Sequence, residues 1–333
     1  MRLIAACVVL LTATPMAAAQ AADEASAEAE PETLGPRGAL SGSPRTLYGE
    51  RLGVWLEAGF SGGGRGDERA EFVASPEFGL RLRAGDGVVL DASWGLSVAA
   101  TSVEGEVSIG GEMVRFRGRP TRIDPGNPVL QLLYSGAVAS NVHLEVGVGA
   151  GVPTAARSQV GSDNPTLSER SASQVSHRAA MAMRGYWSPW RWAPERFALF
   201  VPARVAASFG ELALDFDLAL GVMVPVLGGR GVDADVIVQL GAGVGGQVAE
   251  PLFLGVRLRG VGAPLGVIVP GVDPEGSDAS DRVVFSAEPW VRLSVDPVQL
   301  SLRAVVTLNG ADGVAGERAP AVAAFLGVGA EVD

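Results

Sequence analysis

The sequence predicts an all-β fold, a closed antiparallel transmembrane β-barrel of about twelve strands in an up-and-down meander. Three observations predict it. Apolar and polar residues alternate with a period of two through twelve separate runs between Leu52 and Val332. That is the strand period, because successive side chains leave a pleated backbone on opposite faces. The connections between runs alternate in length, the short ones all of one parity, as tight turns at one rim and long loops at the other would produce. Finally, the chain is 47% hydrophobic with 45 glycines and only 19% charged residues. Yet no interior stretch approaches the ~20 continuous apolar residues of a membrane helix, whereas runs of about ten suit a strand tilted ~45° across a bilayer. Closure has a physical cause: in hydrocarbon an open sheet edge leaves backbone N–H and C=O groups unsatisfied.

The start of the chain reads as an address label. Arg2 is a minimal positive region, Leu3 to Thr12 an apolar one, and Ala19-Gln20-Ala21 a cleavage site, so 1–21 is expected to be a signal peptide. The single Cys7 interrupts that apolar region, which leaves no cysteine for disulfides or thiolate metal sites after cleavage. Residues 22–49 are acidic, then Gly/Ser/Pro-rich, and read as a disordered leader. The barrel is assigned to 50–333. All 26 basic residues are arginine, and 37 acids bring the net charge to -11. Nucleic-acid binding wants a basic surface, so no nucleic-acid partner is expected.

The runs follow in order. Leu52, Val54, Leu56 and Phe60 give the first apolar face, against Trp55 and Glu57. Phe78, Leu80 and Leu82 oppose Glu71, Glu77, Arg81 and Arg83, and Gly85-Asp86-Gly87 turns the chain so that Arg81 faces Asp91. A long loop is expected near 101–127. Val129 to Val138 turns into Val142 to Val152, with His143 and Glu145 on the polar side. The longest connection, 153–196, contains a helix-permissive stretch, Ala172 to Arg184, for which an extra strand over Val175 to Gly185 is the alternative. The clearest hairpin follows, Phe197 to Val226, turning at Gly210. If Phe209 faces Leu212, then Arg204 faces Asp217 on the polar side. Ala234 to Val244 and Leu252 to Leu258 come next, then a long loop near 262–281. Val283 to Val295, Val298 to Leu308 and Pro320 to Val332 complete the set.

On the signal peptide, the dyad alternation and the loop order, the chain over Leu52 to Val332 resembles the Gram-negative outer-membrane β-barrel proteins, a channel or porin-like superfamily. The resemblance implies a place in the cell outer membrane, with short periplasmic turns and long extracellular loops. It implies outer-membrane lipid, the barrel insertion machinery and small solutes as partners. The chain departs from the pattern at its end, where Phe325 stands eight residues short of a terminal aromatic.

The polar face predicts a charged lumen lined by Glu57, Glu77, Arg81, Arg83, Asp91, Glu145, Arg204, Asp215, Asp217, Asp235, Arg257, Arg259, Glu288, Arg292 and Arg303, with Glu71 and Glu331 on the same parity. Such charges either line an ion path or pair into a network that fixes register. In the longest connection His177, Arg178 and Arg184 are candidates for a loop constriction. Trp187, Trp190 and Trp192 are expected in an aromatic belt at the membrane interface. His143 has no serine at i±2, His177 lies in a loop, and no His/Asp/Glu cluster has ligand spacing, so no catalytic residue, metal or cofactor is expected. The glycine runs at Gly147 to Val152 and Gly241 to Gly246 alternate within strands instead of opening a helix, which excludes a phosphate cradle. The expected function is passive diffusion of small solutes through a narrow lumen, without enzymatic chemistry. The alternative is a non-conducting structural or surface-binding barrel acting through its extracellular loops, and an outer-membrane lipid hydrolase is a distant third.

Overall fold

The structure is a computed structural model that describes residues 52–62, 69–85, 87–109, 112–155, 167–226, 234–263, 283–309 and 322–332. The expected signal peptide, the leader and most of the loop near 262–281 lie outside them. Fourteen strands are found among the described residues: β1 (Leu52–Gly62), β2 (Arg69–Ala84), β3 (Val88–Ile109), β4 (Glu112–Gly118), β5 (Thr121–Pro125), β6 (Val129–Ala139), β7 (Val142–Gly151), β8 (Arg196–Phe209), β9 (Leu212–Pro225), β10 (Asp235–Ala249), β11 (Leu252–Gly262), β12 (Val283–Val295), β13 (Val298–Thr307) and β14 (Val322–Val332).

Twelve of these close into an antiparallel barrel, as the alternation predicts. Each strand pairs with its sequence neighbour except that β6 follows β3, and β1 seals the cylinder against β14 from Leu52↔Val332 to Ser61↔Ala323. The outer face is apolar and the inner face polar, the inverse of a water-soluble core. Leu56 is 48% exposed while its neighbour Glu57 is 1% exposed. Phe72, Phe78, Leu80 and Leu82 continue the exposed apolar face along β2. The β8–β9 hairpin has the predicted register, with Phe209↔Leu212 at the turn and Arg204↔Asp217 on the inner face. Gly210 adopts φ +62° there, a left-handed conformation that glycine reaches without steric cost.

The stretch 101–127, expected as a loop, is instead mostly strand. β3 runs for 22 residues, and beyond the level of β6 it pairs with β5 and then with β4. The register sets Glu104 opposite Arg117 and Glu106 opposite Arg115. Val103 and Val107 alternate with Glu104 and Glu106, and Val114 and Phe116 with Arg115 and Arg117, but the dense charge around Gly110-Gly111 and the following Pro120 give the stretch the composition of a loop.

The connection between β7 and β8 folds inward. It contains α1 (Leu167–Ala182) and a 3₁₀ turn (Pro189–Arg191), so the extra-strand alternative is excluded. Among the described residues no helix is long and apolar enough to cross a membrane. Ala179, Ala180, Met181, Met183, Tyr186, Trp190 and Trp192 are buried together with the small inward residues Ala70, Ala99 and Ala198 of the wall. Alternation places those small residues inward, where they leave room for the segment. A Cβ on Gly95 would stand 3.0 Å from the Trp192 ring.

Candidate functional site

The inward-folded segment and the charged wall beneath it form one site. Polar side chains pin α1 to the wall: Ser173 Oγ donates to Asp124 Oδ1 (2.9 Å), and Ser176 Oγ donates to Ser97 Oγ (2.9 Å). Asn127 clamps the 3₁₀ turn. Its Nδ2 donates to the carbonyls of Trp190 and Ala193, each at 2.8 Å, and its backbone N–H donates to Arg191 O at 2.6 Å. Trp190 stacks on Phe200 of β8 with centroids 4.1 Å apart and planes 8° from parallel. Offset aromatic stacking adds to the area buried.

Charge fixes the tip of the segment. Glu77 of β2 receives two guanidiniums, Arg184 Nε at 3.2 Å and Arg191 Nη1 at 2.7 Å. Arg184 also donates to Ser75 Oγ (2.8 Å), and Arg191 to Ser93 Oγ (2.6 Å). Burial pushes the Arg184 guanidinium down to about 9 and Arg191 to about 10, against the pull of Glu57 on both and of Asp91 on Arg191. Both stay cationic at neutral pH.

Below the tip the wall carries ion pairs in groups. Arg303 of β13 grips Glu57 of β1 with two N–H groups (2.6 and 2.8 Å) and reaches Glu288 of β12 at 2.5 Å, where Arg259 of β11 also binds at 2.7 Å. Arg204 of β8 contacts Asp217 at 3.3 Å and Asp215 at 3.5 Å, and Arg257 of β11 pairs with the same two aspartates. Arg257 reaches β9 because the strand between them presents glycine. Gly243 stands opposite both Asp215 and Arg257, and Gly241 opposite both Asp217 and Arg259. Arg81 of β2 pairs with Glu145 of β7, although β3 and β6 lie between those strands.

A cavity of about 190 Å³ remains between this wall and the segment. Seven arginines and four carboxylates line it, together with Trp187, Trp190 and Phe200. Of the residues predicted for the lumen, Glu77, Arg81, Asp91, Glu145, Arg204, Asp217, Arg257, Arg259 and Arg303 border this cavity, while Glu57, Asp215 and Glu288 sit behind the arginines they hold. Arg83 donates to Ser135 O toward the short-turn rim, and Asp235 pairs with Arg196 toward the other. Arg292 is 1% exposed against the Phe253 and Trp290 rings and does not reach the cavity.

Several expectations are corrected. Glu71 is exposed, because a register shift between Ala70 and Phe72 changes its parity; the Glu331 side chain lies outside the described residues. Trp190 and Trp192 are 4% and 0% exposed inside the barrel, and Trp187 packs against the same interior cluster, so these rings form no lipid-facing belt. The interior offers them aromatic partners and guanidiniums, which a belt position would not. Of the three constriction candidates, only Arg184 borders the cavity. His177 is 1% exposed, with its ring nitrogens on Ser173 O and Pro125 O, and Arg178 is half-buried on α1. Arg81 faces Asp91 in register, but its ion pair goes to Glu145. His143 does meet a serine, Ser135 of the neighbouring strand, Oγ to Nε2 at 2.8 Å on the inner wall. The partner comes from the paired strand β6 and is not near His143 in the sequence pattern of β7. Arg191 and Asn127 carried no sequence signal beyond lying next to Trp190 and in a loop. Among the described residues no group of three His, Cys, Asp or Glu side chains is placed to hold a metal ion.

No protein-family model matches the chain, and no curated protein matches it. Among solved structures, an outer membrane channel from Pseudomonas putida F1 is similar over 92% of this chain and 100% of its own, at 13% identity and a TM-score of 0.51. The NanC porin matches 84% of this chain and 100% of its own at 6% identity and a TM-score of 0.48. LpxR from Salmonella typhimurium matches 84% and 100% at 10% identity and a TM-score of 0.42. At such identities the likeness is one of fold alone, the β-barrel fold shared with the Pseudomonas putida channel.

Proposed function

We propose that this barrel sits in the outer membrane and passes small solutes by diffusion through a narrow charged lumen, with the segment between β7 and β8 as its constriction. It performs no chemistry on them. The observation that carries this reading is the cavity under the segment, lined by charged side chains. A barrel filled for stability alone would close that space with packed side chains, as smaller barrels do. The segment is built to narrow the path, since it enters from the long-loop end and holds Glu77 near the middle of β2 through Arg184 and Arg191.

A second reading has its own support. The anchoring of the segment by Asn127, the Trp190–Phe200 stack and the Glu77 pairs would suit a sealed barrel acting through the β3–β4 hairpin. The Ser135–His143 pair lends little to a lipid hydrolase, because it faces the interior, away from lipid esters. Reconstitution into planar bilayers separates the first two. Discrete current steps that grow on deletion of Ser168 to Arg184 support the constricted channel. Equal currents with and without the segment would remove it as the constriction, and silence from both proteins would favour the sealed barrel. Liposome swelling with solutes of graded size then measures the cutoff.

A further inference from the structure

We propose that the cavity beneath the inward-folded segment is a binding site for a small oxyanion, a carboxylate or a phosphate, and that Arg259 is the residue that meets it. The proposal deepens the channel reading and rests on it for the route by which the anion arrives; the site itself is a matter of binding. The whole chain carries a net charge of -11, yet this cavity is lined by seven arginines and only four carboxylates. Glu57, Asp215 and Glu288 hold arginines from behind and do not line the cavity, so the surface a solute meets is rich in N–H donors on fixed guanidiniums.

Arg259 is the clearest of these donors. It is 7% exposed, and its Nη1 donates to Glu288 Oε2 at 2.7 Å, a carboxylate that it shares with Arg303. Its Nε is buried without a hydrogen-bond partner among the described residues. Its guanidinium lies over the Trp187 ring, 4.8 Å from the centroid, so the fork is held flat at the edge of the space. A guanidinium offers five N–H groups in a rigid plane that matches two oxygens of a carboxylate or phosphate, and Glu288 engages only part of that plane. Leaving a buried donor unmet costs free energy, which an entering oxyanion would recover.

The test uses the full chain in detergent and follows tryptophan fluorescence, to which Trp187 under Arg259 contributes, during titration with inorganic phosphate and separately with acetate. Saturable quenching that weakens with added salt is expected. Arg259→Gln should raise the apparent Kd roughly tenfold, the factor one charge-assisted hydrogen bond carries. Arg259→Lys keeps the charge but loses the fork, so it should weaken binding too, and it serves if the glutamine variant fails to fold. Arg115→Gln on the exposed hairpin should bind as the parent does. Tighter binding of phosphate than of acetate, or the reverse, says which oxyanion fits better. A featureless titration with both anions, or an Arg259 variant that binds like the parent, overturns the proposal. Binding without conductance would remove the channel reading and keep the site; conductance without binding would do the opposite.

Discussion

Arg257 on β11 and Asp215 on β9 form a buried ion pair across the whole width of β10, over Gly243, which stands opposite both of them. The pair exists because the intervening strand presents no side chain at that row. Arg257 is 4% exposed and Asp215 1%. Removing one partner of such a pair leaves a buried charge poorly compensated and costs about 3–5 kcal/mol, whereas removing both costs far less. Arg257→Gln is therefore expected to be strongly destabilising, and Arg257→Gln with Asp215→Asn to recover much of the loss. A double-mutant cycle on guanidinium unfolding midpoints of the reconstituted barrel measures the coupling.

Gly243 has a distinct prediction. A Cβ at that position would stand 2.1 Å from Asp215 Oδ1, so Gly243→Ala must displace the carboxylate from Arg257. The expected loss is about 1–3 kcal/mol, the usual range for overpacking. Because Gly59 lies elsewhere on the wall, its own crowding against Phe325 should add independently when the two substitutions are combined. Unfolding midpoints of the single and double variants give the answer, and a Gly243→Ala barrel as stable as the parent would contradict the geometry.

Glu77 of β2 holds both Arg184 and Arg191 at the tip of the inward segment. Glu77→Gln removes the carboxylate that two buried guanidiniums share and leaves them the neutral acceptors Ser75 and Ser93, at a cost of about 3–5 kcal/mol. The segment should loosen from the wall before the barrel unfolds, since the barrel ladder is untouched. Protease cleavage within 183–193 should quicken, and single-channel current in planar bilayers should become larger and noisier. A current trace identical to the parent's would separate Glu77 from the constriction.

The outward direction of Leu56 makes the simplest test of orientation. It is 48% exposed on the apolar outer face. Leu56→Arg places a charge in hydrocarbon and should cost about 2–4 kcal/mol in lipid. In detergent the penalty should shrink, because the guanidinium reaches water more easily there. Folding yields into vesicles, compared with yields into micelles, read the difference.

Much of this was present in the order of residues. The period of two, carried through Leu212, Leu214, Phe216 and Leu218, set both the strand and its face. A slip of one residue would turn every apolar side chain into the lumen, so the register Arg204↔Asp217 follows from the pattern and a tight turn at Gly210. The helix-permissive stretch before Arg184 is a helix. The β3–β4 hairpin keeps the alternation, with Val107 opposite Val114 and Glu106 opposite Arg115, but its high charge and its glycines match a loop composition just as well. Glu71 was misplaced because a register shift near the end of a strand is invisible to a strict period.

What the sequence determined by itself is everything that depends on near neighbours along one strand or across one turn: strand, face, hairpin register and the sealing of the sheet that a hydrocarbon solvent demands. What only the tertiary structure decided is which residues meet across the enclosed space. Arg81 could face Asp91 from the sequence, but closure of the cylinder brings Glu145 within its reach. Trp190 and Trp192 could have met lipid, but the interior supplied Phe200, Arg184 and a row of small residues. Those meetings depend on barrel curvature and on how one long connection packs, and neither is encoded in any local period.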